Sequence, residues 1–124
     1  MLLHEDLTRS VIGAAIEVHS HLGPGLLESI YEECLCHELM LRGMEFRQQV
    51  ELPIVYKSAT LDTIYRIDLI IEDTLIVEVK AIEQMLPVHE AQLLTYLRLT
   101  GKRIGLLLNF NVPALMDGIL RRIL

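Results

Sequence analysis

A single α/β domain, built on a mixed β-sheet flanked by helices, is the fold class this sequence predicts, and three observations predict it. Apolar residues recur at helical spacing up to about Arg42. From Phe46 to Lys80 the period falls to two, as it does in strands. A strand–helix–strand passage then runs from 75 to 108, which in one sheet predicts a right-handed parallel crossover.

Leu7, Val11, Ala14, Ala15, Val18 and Leu22 mark the first helix, and Gly23-Pro24 stops it. A second helix runs from about Leu26 to Arg42, with Leu27, Ile30, Tyr31, Cys34, Leu35 and Leu39 apolar and Gly43 past its end. Phe46, Val50, Leu52, Ile54 and Tyr56 alternate with Arg47, Gln49, Glu51 and Lys57, the pattern of a half-buried strand. Pro53 predicts that this strand is bulged or lies at a sheet edge. After a turn near Lys57-Ser58-Ala59-Thr60, a hairpin closes at Glu72-Asp73-Thr74. Pro87 opens a helix over roughly 88–100, closed by Gly101. Ile104 to Leu108 is wholly apolar, as a buried strand is. Leu115, Ile119 and Ile123 recur every four residues and predict a last helix from Ala114 to Leu124. The order is α, α, β, β, β, α, β, α.

At 124 residues the chain suits one domain, expected over 1–124. A hydrophobic share of 52% and a mean hydropathy of +0.39 exclude disorder and leave apolar surface for a partner to cover. The longest uncharged stretch, Ile104 to Met116, falls short of the ~18 residues of a membrane span and contains Asn109, Asn111 and Pro113. The opening Met-Leu-Leu-His-Glu-Asp has neither the basic start nor the apolar centre of a signal peptide, so a cytoplasmic location is expected. Cys34 and Cys36 stand two apart on a helix, face different ways and are expected to be inert thiols. The five histidines, His4, His19, His21, His37 and His89, form no i, i+4 pair that suits zinc. The net charge of −6 is uneven: residues 1–51 carry nine acids and three bases, residues 52–124 eight of each. Proteins that grip nucleic acid by counterion release carry a basic stripe, and none is visible.

The hairpin holds the chemistry. A three-residue turn puts Asp68 opposite Glu78, with Lys80 two residues on and therefore on the same face. The other face reads Tyr65, Ile67, Leu69, Ile71, Leu75, Val77, Val79, Ala81, all apolar. Magnesium takes hard oxygen donors, commonly one or two carboxylates with waters and substrate phosphate. Asp68 and Glu78 offer that pair, and the Val79 carbonyl a further oxygen. Lys80 would orient the attacking water or offset charge growing on the phosphate. A competing reading is a solvated face on which Asp68, Glu78, Arg66 and Lys80 merely pair across strands. A two-residue turn would also separate the two acids onto opposite faces.

Two helices add polar stripes. Gly25, Glu28 and Tyr31 are spaced by three, and Glu28 lies in a first turn, where the helix dipole favours a negative charge. Gln92 and Tyr96 share a face at i, i+4 among leucines and need polar partners. A turn glycine, a core tyrosine, a first-turn acid and a helix–helix polar contact would account for these stripes without any chemistry.

Gly-Leu-Leu-Glu-Ser-Ile-Tyr at 25–31 resembles the motif that names the GxxExxY protein family. Tyr-Arg-Ile-Asp-Leu-Ile-Ile-Glu-Asp at 65–73, Ile-Val-Glu-Val-Lys-Ala at 76–81, His-Glu-Ala-Gln-Leu-Leu-Thr-Tyr-Leu at 89–97 and Gly-Leu-Leu-Leu-Asn-Phe at 105–110 extend the resemblance over nearly the whole chain. That family is placed in the PD-(D/E)XK nuclease-like superfamily. The resemblance implies an αβββαβ, restriction-endonuclease-like core beginning at the second helix, with an extra helix before it. It implies that Asp68 matches the first metal carboxylate, Glu78 and Lys80 the (D/E)-X-K, Glu28 the helix glutamate, and Gln92 with Tyr96 the downstream helix motif. Ile67 stands where the superfamily's motif has proline.

The expectation is a Mg²⁺- or Mn²⁺-dependent nuclease acting on DNA or RNA. Its metal ligands would be Asp68, Glu78, Val79 and Glu28, and Lys80, Gln92 and Tyr96 would complete the catalytic set. The alternative is a non-catalytic or weakly catalytic module, acting as a homodimer or partner-binding subunit through its apolar surplus. Lys102-Arg103 and Arg121-Arg122 would then be rim charges or a docking patch.

Overall fold

The computed structural model describes residues 4–124; Met1, Leu2 and Leu3 of the start discussed above lie outside them. Helix α1 (Glu5–Leu22) is followed by α2 (Glu28–Leu41), β1 (Phe46–Tyr56), β2 (Ala59–Ile71), β3 (Leu75–Lys80), α3 (Pro87–Thr100), β4 (Ile104–Asn109), a 3₁₀ turn (Leu115–Gly118) and β5 (Ile119–Ile123). The strands form one mixed sheet in the order β1-β2-β3-β4-β5. Among the described residues only β3 and β4, joined through α3, run parallel. This is an α/β fold of the restriction-endonuclease-like kind, with α1 preceding the core.

The sheet separates two cores. Val11, Ala14, Ala15 and Val18 of α1 and Tyr31, Leu35 and Leu39 of α2 pack on Leu69, Ile71, Val77, Val79, Leu106 and Leu108. On the opposite face Leu93, Tyr96 and Leu97 of α3 pack on Ile70, Ile76 and Leu107. The central strand β3 is buried on both faces, which explains its near-continuous apolar sequence and isolates Glu78 within it.

Most expected elements form. Pro53 does lie on an edge strand, with a register shift between Pro53 and Val55. The β1–β2 turn is shorter than expected, because Tyr56 already pairs with Ala59. The β2–β3 turn has three residues: Ile71 pairs with Leu75, and Glu72 and Asp73 both adopt a φ of 51°.

Two expectations are corrected. Residues 114–124 do not form a helix; Leu115–Gly118 makes one 3₁₀ turn and Ile119–Ile123 pairs antiparallel with β4. Strand pairing satisfies the free edge of β4, and the β-branched Ile119 and Ile123 suit it. Gly118 marks the break, since a Cβ there would stand 2.1 Å from the Asn109 carbonyl oxygen.

The second correction concerns the apolar face of the hairpin. Leu69 faces α1 and α2, whereas Ile67 packs in the α3 core and Tyr65 meets the Tyr96 ring. On the neighbouring strand Gln48 reaches Glu32 of α2, while Val50 packs with the α3 core. The sheet therefore exchanges faces across Gln49 and Asp68. Gln49 has a φ of 52°, a left-handed conformation that breaks the alternation of β1.

Candidate active site

The site occupies the point where β2 leaves β3. The ladder between them ends at Leu69↔Val77, so Asp68 and Glu78 come next in register but make no further backbone rung. Side chains take over the backbone groups. The Val79 N–H donates to Asp68 Oδ2 at 2.9 Å, and the Asp68 N–H to Glu78 Oε2 at 3.3 Å. The two acids thus meet in the opening between the strands rather than standing side by side on one regular face.

Burial sets the electrostatics. Glu78 is 3% exposed, and Asp68 is half-buried. Desolvation raises the Glu78 pKa well above the usual carboxylate range and the Asp68 carboxylate beside it pushes the same way, while the Asp68 N–H that Glu78 accepts pulls it down. Lys80, half-buried, opposes the shift only weakly. It donates from Nζ to Gln92 Oε1 at 3.4 Å. One turn beyond Gln92, the Tyr96 hydroxyl has its pKa pushed up to about 12, first by burial and then by the Glu78 charge.

The α2 side contributes Glu28. Its carboxyl feels the charges of Lys80, Asp68 and Glu32. Partial burial raises its pKa, and Lys80 pulls it down. The stripe from Gly25 to Tyr31 has a mechanical role here. Helix α2 begins at Glu28 rather than Leu26, leaving Gly25 outside it at a φ of 99°. Tyr31 is fully buried, stacks on Phe110 with centroids 4.6 Å apart, accepts the Leu26 N–H at 3.1 Å and donates to the Gly23 carbonyl at 2.5 Å. Its hydroxyl ties down the loop that delivers Glu28 to the site.

Three residues were missed in the sequence. Glu32, 7% exposed, accepts the side-chain amide of Gln48 at 2.7 Å and that of Gln49 at 2.8 Å. Gln49 Nε2 also lies 3.3 Å from Asp68 Oδ1, so the glutamine links the buried acid of α2 to the site. The available signals were Glu32 one turn after Glu28 and two adjacent glutamines interrupting an alternating strand. Asn109, 3% exposed, anchors the chain beyond Lys80: it accepts the Ile82 N–H at 3.1 Å and donates to the Ile82 carbonyl at 3.0 Å.

Cys34 and Cys36 are free, and burial pushes the Cys36 thiol up to about 11, which keeps it un-ionised and inert. Among the described residues no three His, Cys, Asp or Glu side chains form a metal cage by themselves. A two-carboxylate site is open to magnesium or manganese, whose remaining positions go to water and phosphate. The donors fit such an ion: both are hard oxygens, and a buried carboxylate with a raised pKa beside a second carboxylate is a pair short of positive charge.

Among the described residues no helix is long and apolar enough to cross a membrane. No curated protein and no solved structure matches the chain. A family model does match, described as the PD-(D/E)XK nuclease superfamily, over residues 5–123. With its α/β sheet intact and nearly its whole length matched, the chain belongs to the PD-(D/E)XK nuclease superfamily.

Proposed function

We propose that this chain is a Mg²⁺- or Mn²⁺-dependent nuclease that hydrolyses phosphodiester bonds, carried by a single domain over residues 1–124. The observation behind this reading is the pairing of Asp68 with the buried Glu78 at the strand opening, with Lys80 two residues on. Asp68 and Glu78 would hold the ion. The Val79 carbonyl would assist, since a strand residue projects N–H and C=O to the same edge and the Val79 N–H already faces the opening. Glu28, whose carboxyl feels the charges of Lys80 and Asp68, would join directly or through water. A bound ion would supply charge neutralisation at the phosphate and a more acidic water. Lys80, fixed by Gln92, would orient that water and offset charge developing on the phosphate oxygens. Tyr96 would fix Gln92 in turn or contact the phosphate. The GxxExxY resemblance supports Glu28 in this set. Two free thiols suit a reducing compartment, and we assign the protein to the cytoplasm.

Cleavage of labelled single- and double-stranded DNA and RNA at low salt, with Mg²⁺ or Mn²⁺, tests the proposal. Wild type should cut, and Lys80→Ala should lose about a hundredfold or more. Cleavage untouched by Lys80→Ala and by chelation of the metal would contradict it.

A second reading rests on the outer half of the β1–β2 hairpin, where Val55 is 60% and Tyr56 64% exposed. Such a surface suits a homodimer or a partner-binding subunit that does not cut. A dimer on gel filtration, combined with no cleavage of any substrate, would favour it.

A further inference from the structure

A cavity of about 480 Å³ lies between the β1–β2 hairpin and α3, and Lys80 and Gln92 line its inner end. One wall is Tyr65, 47% exposed, whose ring stands 6.2 Å from that of Tyr96 in an edge-on arrangement. Ile54, Val88 and Leu99 extend the apolar lining outward. The groove reaches Lys80, is large enough for one nucleotide, and has the exposed Tyr65 side chain in its wall.

Charge points the same way. Several bases that would grip a duplex are engaged by acids: Arg66 with Glu51, Arg47 and Lys102 with Asp73, and Arg122 with Glu90. With a net charge of −6, counterion release supplies little affinity. Stacking on an aromatic ring supplies affinity without charge, but only to a base whose face is free. Within a duplex both faces are already stacked, and exposing one costs a few kcal/mol.

We infer that the groove receives an unpaired base of the substrate strand, stacked on Tyr65, so that single-stranded nucleic acid is the preferred ligand of this site. The inference rests on the nuclease reading for the nature of the ligand and deepens it by naming the substrate class. Tyr65 stands there as a specificity-determining residue.

The test is binding of short fluorescein-labelled mixed-sequence oligonucleotides by anisotropy, at low salt in EDTA. Single-stranded DNA, single-stranded RNA and blunt duplex DNA are compared. At least one single strand should bind roughly tenfold or more tightly than the duplex. Tyr65→Ala should lose about five- to 150-fold of single-strand affinity, the range of one stacked base. Tyr65→Phe should keep it, and Tyr56→Ala, at the far end of the same hairpin, should leave it unchanged. Equal binding of duplex and single strands, absence of binding to any strand, or an equal loss in Tyr56→Ala overturns the inference. Thermal shifts with Mn²⁺ on the same proteins report the metal site separately. A retained metal shift with no Tyr65-dependent binding rejects the groove alone, whereas Tyr65-dependent binding with no metal shift rejects the nuclease reading alone.

Discussion

Glu78 is a carboxylate in the central strand of a five-stranded sheet, and that position has a measurable consequence. Its folded pKa is raised, so in metal-free protein the folded state holds the proton more tightly than the unfolded chain. Its contribution to stability is complete below the ordinary value of 4.5 and is lost as pH rises toward the folded pKa. In EDTA, Glu78→Gln should therefore melt above wild type at neutral pH, with the gap narrowing as pH falls from about 8 to 5. A gap that widens toward acid would contradict the burial argument. Gln49 carries a second prediction at this scale. Gln49→Ala removes the amide that bridges Glu32 and Asp68 and should cost about 1–3 kcal/mol. Gln49→Gly should recover about 1 kcal/mol of that by relieving the left-handed backbone, as denaturant unfolding would show. The register that sets Asp68 next to Glu78, with Lys80 two residues on, was legible in the sequence because a three-residue turn fixes it. Glu32 and Gln49 were not, because their roles depend on where β1 reverses its faces, and no periodic pattern records a reversal.

At the scale of elements, α2 is aimed at the site by its own preceding loop. Tyr31→Phe keeps the ring stacked on Phe110 but leaves the Leu26 N–H and the Gly23 carbonyl without their shared partner. A loss of about 1–3 kcal/mol is expected, or several degrees in melting temperature for a domain of this size. Because Glu28 stands on the same first turn, metal affinity should fall as well. An unchanged metal response in Tyr31→Phe would separate the loop from the site. The helices and the first four strands could be read from periodicity and from the glycines that close α1, α2 and α3. The C-terminal strand could not. Leu115, Ile119 and Ile123 fit a helical period, yet Ile119 and Ile123 also fit a period of two, and only the open edge of β4 decides between them. Gly118, pressed against the Asn109 carbonyl, was the one local clue.

For the molecule as a whole, two three-dimensional facts join into one account. The sheet opens where β2 leaves β3, and the helices on its two faces each send polar groups to that opening, Glu28 from α2 and Gln92 with Tyr96 from α3. The acidic surplus lies mainly in residues 1–51, so an anionic strand should approach from the α3 side, where the groove beside Lys80 lies. We propose that Asp68 and Glu78 together hold a divalent ion, and a thermal melt with and without Mn²⁺ decides it. At ten times its dissociation constant the ion should stabilise the wild type by about 1.4 kcal/mol, a rise of several degrees, and should leave Glu78→Gln and Asp68→Asn unmoved. A wild type indifferent to the metal, or variants that rise with it by the same amount, would contradict the account.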